Sequence, residues 1–162
     1  MEDNIDNSSI ALVCLDQKRI SIDNISAKNS KFMDDFRKDF PNEEIQLNNI
    51  KFSTCEKIKT YLEHYKDKKP KRIPRPLPNK DFKEVVGEWD YEYINIDVES
   101  IYELMQASNF LGIDSLLDLT SAKIASLIKG KNPEEIRRIL GMDDQDIDEL
   151  EENEIIDEDD DE

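Results

Sequence analysis

Between residues 9 and 22, in SIALVCLDQKRISI, apolar side chains recur at every second position: Ile10, Leu12 and Cys14, then Ile20 and Ile22 around Ser21. Successive side chains of a strand point to opposite faces, so this period predicts two short strands joined by a turn at Asp16-Gln17. Ala11 and Val13 then belong to the outer face. The period lengthens in NSKFMDDFRKDF, where Phe32, Met33, Phe36 and Phe40 fall at helical spacing. Pro41 closes that helix, because a residue before proline is pushed out of the helical region. EIQLNNI alternates Ile45 and Leu47 as a third strand. FSTCEKIKTYLEHY carries Phe52, Cys55, Ile58 and Leu62 on one helical stripe, with Ser53 or Thr54 placed to cap it.

Residues 95 to 142 read as helices throughout. Asp97 is a suitable N-cap for a helix that stops near Gly112 and whose apolar positions are Ile101, Leu104, Met105 and Leu111. A second helix starts at Asp114 or Ser115 and carries Leu117, Ile124 and Ile128 on one face, broadened by Leu116, Leu119 and Leu127. A third, PEEIRRIL, adds Ile136, Ile139 and Leu140. The last two are short and very apolar, and the small strand-and-helix unit ahead of them has too little body to cover every face. An uncovered stripe of this kind is a surface for another protein.

Composition alters this picture in two places. Residues 66–83, KDKKPKRIPRPLPNKDFK, hold four of the six prolines and eight Lys or Arg against two Asp. Proline removes amide donors and fixes φ, so an extended, polyproline-like linker is expected there. Residues 143–162 hold 14 acidic residues and no Lys or Arg, which leaves only −3 of the net −17 for the other 142. That tail is expected to be self-repelling and disordered, and it lacks the glycine spacing of an EF-hand loop. The overall charge argues against general nucleic-acid affinity.

Candidates for chemistry are few. Cys14 and Cys55 are the only cysteines and His64 the only histidine, too few for a structural zinc site. The start, MEDNIDNSS, is acidic and polar, and no apolar run reaches membrane-spanning length. A soluble, reduced, intracellular protein with buried thiols is therefore expected. No nucleophile or carboxylate is spaced to make His64 catalytic, and Trp89 reads as a core anchor. In IKGKNPEEIRRIL, residues 128–140, Gly130-Lys131 superficially suggests a phosphate loop. The upstream glycine and the following Ser or Thr are missing, and the preceding segment has a helical period. The alternative accounts for every residue: Gly130 ends one helix in the left-handed conformation, and Asn132 caps the next. Pro133 fits the first turn, and Glu135 completes a capping box.

The motifs NFLGIDSLLDLTSAKIASLIKGKNPEEIRRIL (109–140), EWDYEYINID (88–97), AKNS and YLEHYKD occur in that family's chain order. Together they resemble the Skp family of adaptors in SCF ubiquitin ligases, over residues 9 to 142. The resemblance implies an α/β, BTB/POZ-type domain with a C-terminal helical extension. Its N-terminal part would span 9–65 after a disordered stretch 1–8, with a basic linker at 66–87. The C-terminal part would span 88–113 and the F-box-binding helices 114–142, ahead of the disordered tail 143–162. It implies no active site, no metal and no cofactor. A cullin would meet Tyr102, Met105, Asn109 and Phe110. An F-box would meet Leu117, Ser121, Ile124, Ile128, Pro133, Ile136 and Ile139. The expected partners are a cullin and F-box proteins, without nucleic acid or membrane, in cytoplasm and nucleus. Weak homodimerisation of the free chain stays open, as does an elongin-C-like or cullin-independent scaffold. Three features depart from the family pattern: the linker is basic rather than acidic, Gly112 replaces a larger polar residue, and the acidic tail stands where a final Trp-Cys helix is usual.

Overall fold

The computed structural model describes residues 8–141. The stretches read as a disordered N-terminus and an acidic tail fall outside these residues, apart from Ser8. The described chain is mixed α/β and predominantly helical, with one three-stranded sheet ordered β2-β1-β3. Strand β1 (Ser9–Val13) pairs antiparallel with β2 (Arg19–Asp23), setting Ile10 opposite Ile22 and Leu12 opposite Ile20. The turn falls where the pattern breaks. Gln17 takes a φ of 61°, and its amide donates to Cys14 O at 2.9 Å. Strand β3 (Ile45–Gln46) is only two residues long and lies parallel to β1. Val13, expected on the outer face, is buried. It ends the central strand under the 45–50 connection, where Leu47 N donates to Val13 O and Leu15 N to Ile50 O.

Helix α1 (Asn24–Ala27) had no periodic signal, being a single turn. Asp23 creates it by accepting from Ser26 N at 2.9 Å and from Ser26 Oγ at 2.8 Å. Those bonds to its charged form hold the Asp23 carboxyl below the usual carboxylate range. Helix α2 (Lys31–Asp39) is capped by Ser30, which accepts from Met33 N. Of the four apolar residues read on this helix only Met33 is fully buried; Phe32 and Phe36 are half-buried, and Phe40 lies just past the end. Helix α3 (Phe52–His64) buries Cys55, Ile58 and Leu62 as the stripe required. Its cap is neither Ser53 nor Thr54, both of which lie inside the helix. Asp16, brought over by the β1–β2 turn, accepts from Phe52 N at 3.1 Å instead.

The proline-rich stretch is held against the body of the protein. Ile73 and Leu77 pack against the core, and helix α4 (Phe82–Val86) forms at its end with Asp81 as the cap. Helices α5 (Glu88–Tyr93), α6 (Val98–Leu111), α7 (Asp114–Ile128) and α8 (Pro133–Leu140) follow. The core joins Leu12 and Ile22 of the sheet, Ile58 and Leu62 of α3, Leu104 and Leu111 of α6, and Leu116 and Leu119 of α7.

An aromatic nest joins α3 to α5. Trp89 stacks on His64 with ring centroids 3.5 Å apart, and on Tyr93 at 5.1 Å. Tyr65 donates its hydroxyl proton to buried Asp90, and Tyr61 donates to Ser115 Oγ at 2.8 Å, tying α3 to the start of α7. Burial, with Lys68 nearby, holds the His64 pKa below its ordinary value of about 6.5. The unfolded chain therefore takes up this proton first, so the neutral histidine's contribution to stability is lost as pH falls from about 6.5 through the folded value. Because Trp89 is the only tryptophan, its fluorescence is expected to be quenched by the imidazolium with a midpoint below about 6.5. His64→Gln should abolish that titration. A midpoint at or above the ordinary histidine value would refute the assignment.

Candidate functional site

The surface of interest begins at the corner between α6 and α7. Asp97 caps α6, accepting from Ser100 N at 3.1 Å and Ser100 Oγ at 2.7 Å. Gly112 ends the helix at a φ of 65°, a conformation that a side chain resists. A Cβ added there would also lie 2.9 Å from Lys31 Cβ. The start of α2 locks this corner: Lys31 N donates to Gly112 O at 3.3 Å, and Ser30 Oγ donates to Leu111 O at 2.5 Å.

Helix α7 has two apolar faces. Leu116, Leu119, Ala122 and Lys123 point into the body of the protein, the Lys123 ammonium lying 5.6 Å from the Phe82 ring centroid and 5.7 Å from that of Tyr91. Leu117, Ser121, Ile124 and Ile128 are half-exposed on the other side. At 3.6 residues per turn these four fall within an arc of about 60°. The expected turn follows. Gly130 takes a φ of 72°, Asn132 accepts from Glu135 N at 2.9 Å, and Asn132 N donates to Glu135 Oε2 at 3.2 Å. Both halves of the capping box are therefore present. Helix α8 contributes half-exposed Ile136 and Ile139 and exposed Pro133, and buries no residue of its own. Two helices thus present an apolar stripe that the rest of the described chain covers only partly.

One flank of that stripe is a groove of about 550 Å³ between α7 and the proline-rich segment. Ile73, Pro74, Pro76 and Leu77 form one wall; Ser121, Ala125 and Ile128 form the other. Arg75 closes one end by pairing with Asp118. Sequence reasoning missed this wall, since Ile73 and Leu77 are two apolar residues in a stretch dominated by charge and proline.

The structure divides Tyr102, Met105, Asn109 and Phe110 between two surroundings. Tyr102 and Met105 are half-buried, and Met105 Sδ accepts from Ser121 Oγ of α7 at 3.9 Å. Asn109 is exposed, as is Phe110 at 45%. Phe110 touches Phe32 with centroids 5.1 Å apart, and the row continues through Phe36 to Phe40, itself 47% exposed. The phenylalanines at four-residue spacing in α2 thus extend the Phe110 patch into an aromatic ridge. Their spacing was visible in the sequence; their outward direction was not.

Nothing in these surfaces assembles a reacting group. Cys14 and Cys55 are buried free thiols whose pKa values burial pushes up, away from the thiolate form. Among the described residues no cluster of three or more His, Cys, Asp or Glu is placed to hold a metal, and no helix is long and apolar enough to cross a membrane.

A small three-stranded sheet packed with helices, continued by two helices with a half-exposed apolar stripe, fits a BTB/POZ-type α/β fold with a C-terminal helical extension. The Skp1 family profile, described as its dimerisation domain, matches residues 114–161. The S-phase kinase-associated protein 1 homolog of Tetrahymena thermophila is 35% identical over 138 residues, covering 84% of this chain and 83% of that protein. The E3 ubiquitin ligase complex SCF subunit sconC of Arthroderma otae is 31% identical over 137 residues, with 83% of each chain covered. Suppressor of kinetochore protein 1 of Schizosaccharomyces pombe is 28% identical over 138 residues, 83% of this chain and 86% of that one. The chain belongs to the Skp1 family.

Proposed function

We propose that this chain is a non-catalytic adaptor subunit of an SCF-type E3 ubiquitin ligase, joining a cullin to F-box substrate receptors in cytoplasm and nucleus. The observation that carries the reading is the half-exposed stripe of Leu117, Ser121, Ile124 and Ile128 on α7 with Ile136 and Ile139 on α8. Fully burying such a side chain is worth about 1.5–3 kcal/mol, so an amphipathic F-box helix laid on the stripe gains most of its affinity from apolar area. That relatives carry the name of SCF ubiquitin ligase subunits supports the same role. An F-box domain from the same organism should bind the full chain and slow amide exchange across α7 and α8. Should no F-box domain bind, the proposal fails.

The cullin would be met by Asn109 and Phe110, extended by the aromatic ridge of α2. Both residues are exposed, so Asn109→Lys with Phe110→Lys should leave the fold and F-box binding intact. Co-purification with a cullin should be lost. Retention of the cullin by this double variant would favour a cullin contact elsewhere, and with it a scaffold of another kind.

A further inference from the structure

The groove beside α7 has a fixed wall and a floor of small side chains. Ile73 and Leu77 hold the wall against the core, and Arg75 pins it to α7 through Asp118. The floor is made by Ser121, Ala122 and Ala125. Ser121 Oγ already donates to Met105 Sδ at 3.9 Å, and Arg75 and Asp118 engage each other. With those polar groups taken, the groove offers an incoming molecule mainly aliphatic carbon. Lys129, directly after the last residue of α7, is the exception. The volume of about 550 Å³ falls in the range of about 300–1,000 Å³ typical of ligand sites, enough for large apolar side chains.

We infer that this groove receives apolar side chains from the same F-box helix that lies on the α7–α8 stripe, as a second contact that selects among F-box receptors. The inference rests on the F-box reading of that stripe. Continuity is the first argument, because Ser121 and Ile128 belong to both surfaces. At about 100° per residue, Ala125 lies about 70° around α7 from the centre of the stripe. A helix with its side chains is about 10–12 Å across, so one seated on the stripe overhangs the groove. The backbone of the wall is the second argument. Pro74, Pro76 and Pro78 carry no amide hydrogen, so an added strand would find at most every second donor there. A helix satisfies its own backbone and needs none of them. An F-box helix with bulky apolar residues on its overhanging edge gains buried area in the groove. One with charged residues there loses water without finding a partner. The proline-rich stretch, where this chain departs from the family pattern, thus sets which receptors fit.

The test titrates the full chain with an F-box domain from the same organism. On binding, the amides of Ile73, Arg75 and Leu77 should shift together with those of α7 and α8. Ala125→Trp fills the groove from a half-buried position and leaves the stripe and the wall unaltered. It should weaken binding at least about tenfold, the equivalent of about 1.4 kcal/mol. A smaller loss, or a loss without shifts at residues 73–77, would overturn the groove contact and leave the α7–α8 reading in place. Absence of binding by the parent chain would instead sink that reading, and this inference with it. Shifts at residues 73–77 that grow with the chain's own concentration, before any F-box domain is added, would assign the groove to a second copy and overturn the inference. If a thermal melt shows the Trp variant unfolded, Ala125→Leu repeats the comparison, with a loss below about threefold then overturning it.

Discussion

Ile128→Asp combined with Ile136→Asp is expected to weaken F-box binding at least about 100-fold, the equivalent of about 2.7 kcal/mol. Both isoleucines are half-exposed in the free chain, Ile128 beside the groove and Ile136 on a helix that buries none of its residues. Roughly half of the usual 1.5–3 kcal/mol per side chain therefore remains to be gained on contact, about 0.75–1.5 kcal/mol from each. Aspartate forfeits that gain and adds the cost of an unpaired carboxylate in an apolar interface, about 1–3 kcal/mol on protein scales. The free protein should tolerate the change, because neither side chain belongs to the core. Calorimetric titration against an F-box domain, with a thermal melt of the free variant, checks both halves. Affinity within a few-fold of the parent would rule out the α7–α8 stripe as the F-box surface. An unfolded variant would be a different failure, and single Ser substitutions at the same positions then repeat the comparison.

Ser30→Ala should be among the most damaging single-atom deletions in the protein, costing about 2–4 kcal/mol. The side chain is fully buried and serves two helices at once. It accepts from Met33 N at 3.2 Å as the cap of α2, a role worth about 1 kcal/mol. It also donates to Leu111 O at 2.5 Å, and a buried carbonyl left without that partner costs about 1–3 kcal/mol more. The variant should show a lower urea midpoint at an unchanged m-value. A loss below about 0.5 kcal/mol would mean that water or a backbone shift satisfies Leu111 instead.

Several elements could be read directly because their cause is local. The α7–α8 turn is complete within Gly130, Asn132, Pro133 and Glu135, and the structure forms the expected capping box from those residues alone. Asp97 and Gly112 bracket α6 for the same reason. Helix α3 shows where local reading stops. Its stripe was visible, but its N-cap Lys51 makes no side-chain capping bond, and the first helical amide, Phe52 N, is instead satisfied by Asp16, 36 residues away and delivered by the β1–β2 turn. Helix α1 is one turn long and gave no period to read.

The candidate surfaces divide along the same line. Apolar spacing marked Leu117, Ile124 and Ile128 as one face of a helix, because rotation by about 100° per residue is a property of the backbone. Whether that face or the one holding Leu116 and Leu119 enters the core depends on the partners available, and only packing against α6 and the core decided it. Burial was decided in the same way for α2, where Met33 enters the core and Phe32 and Phe36 line up with Phe110. Ile73 and Leu77 gained a role only when the fold brought them beside Ser121 and Ile128. Caps, turns and helical periods need residues a few positions apart, so the sequence alone determined them. The choice of which apolar face stays open to solvent is a competition among all the elements, and the tertiary structure alone settles it.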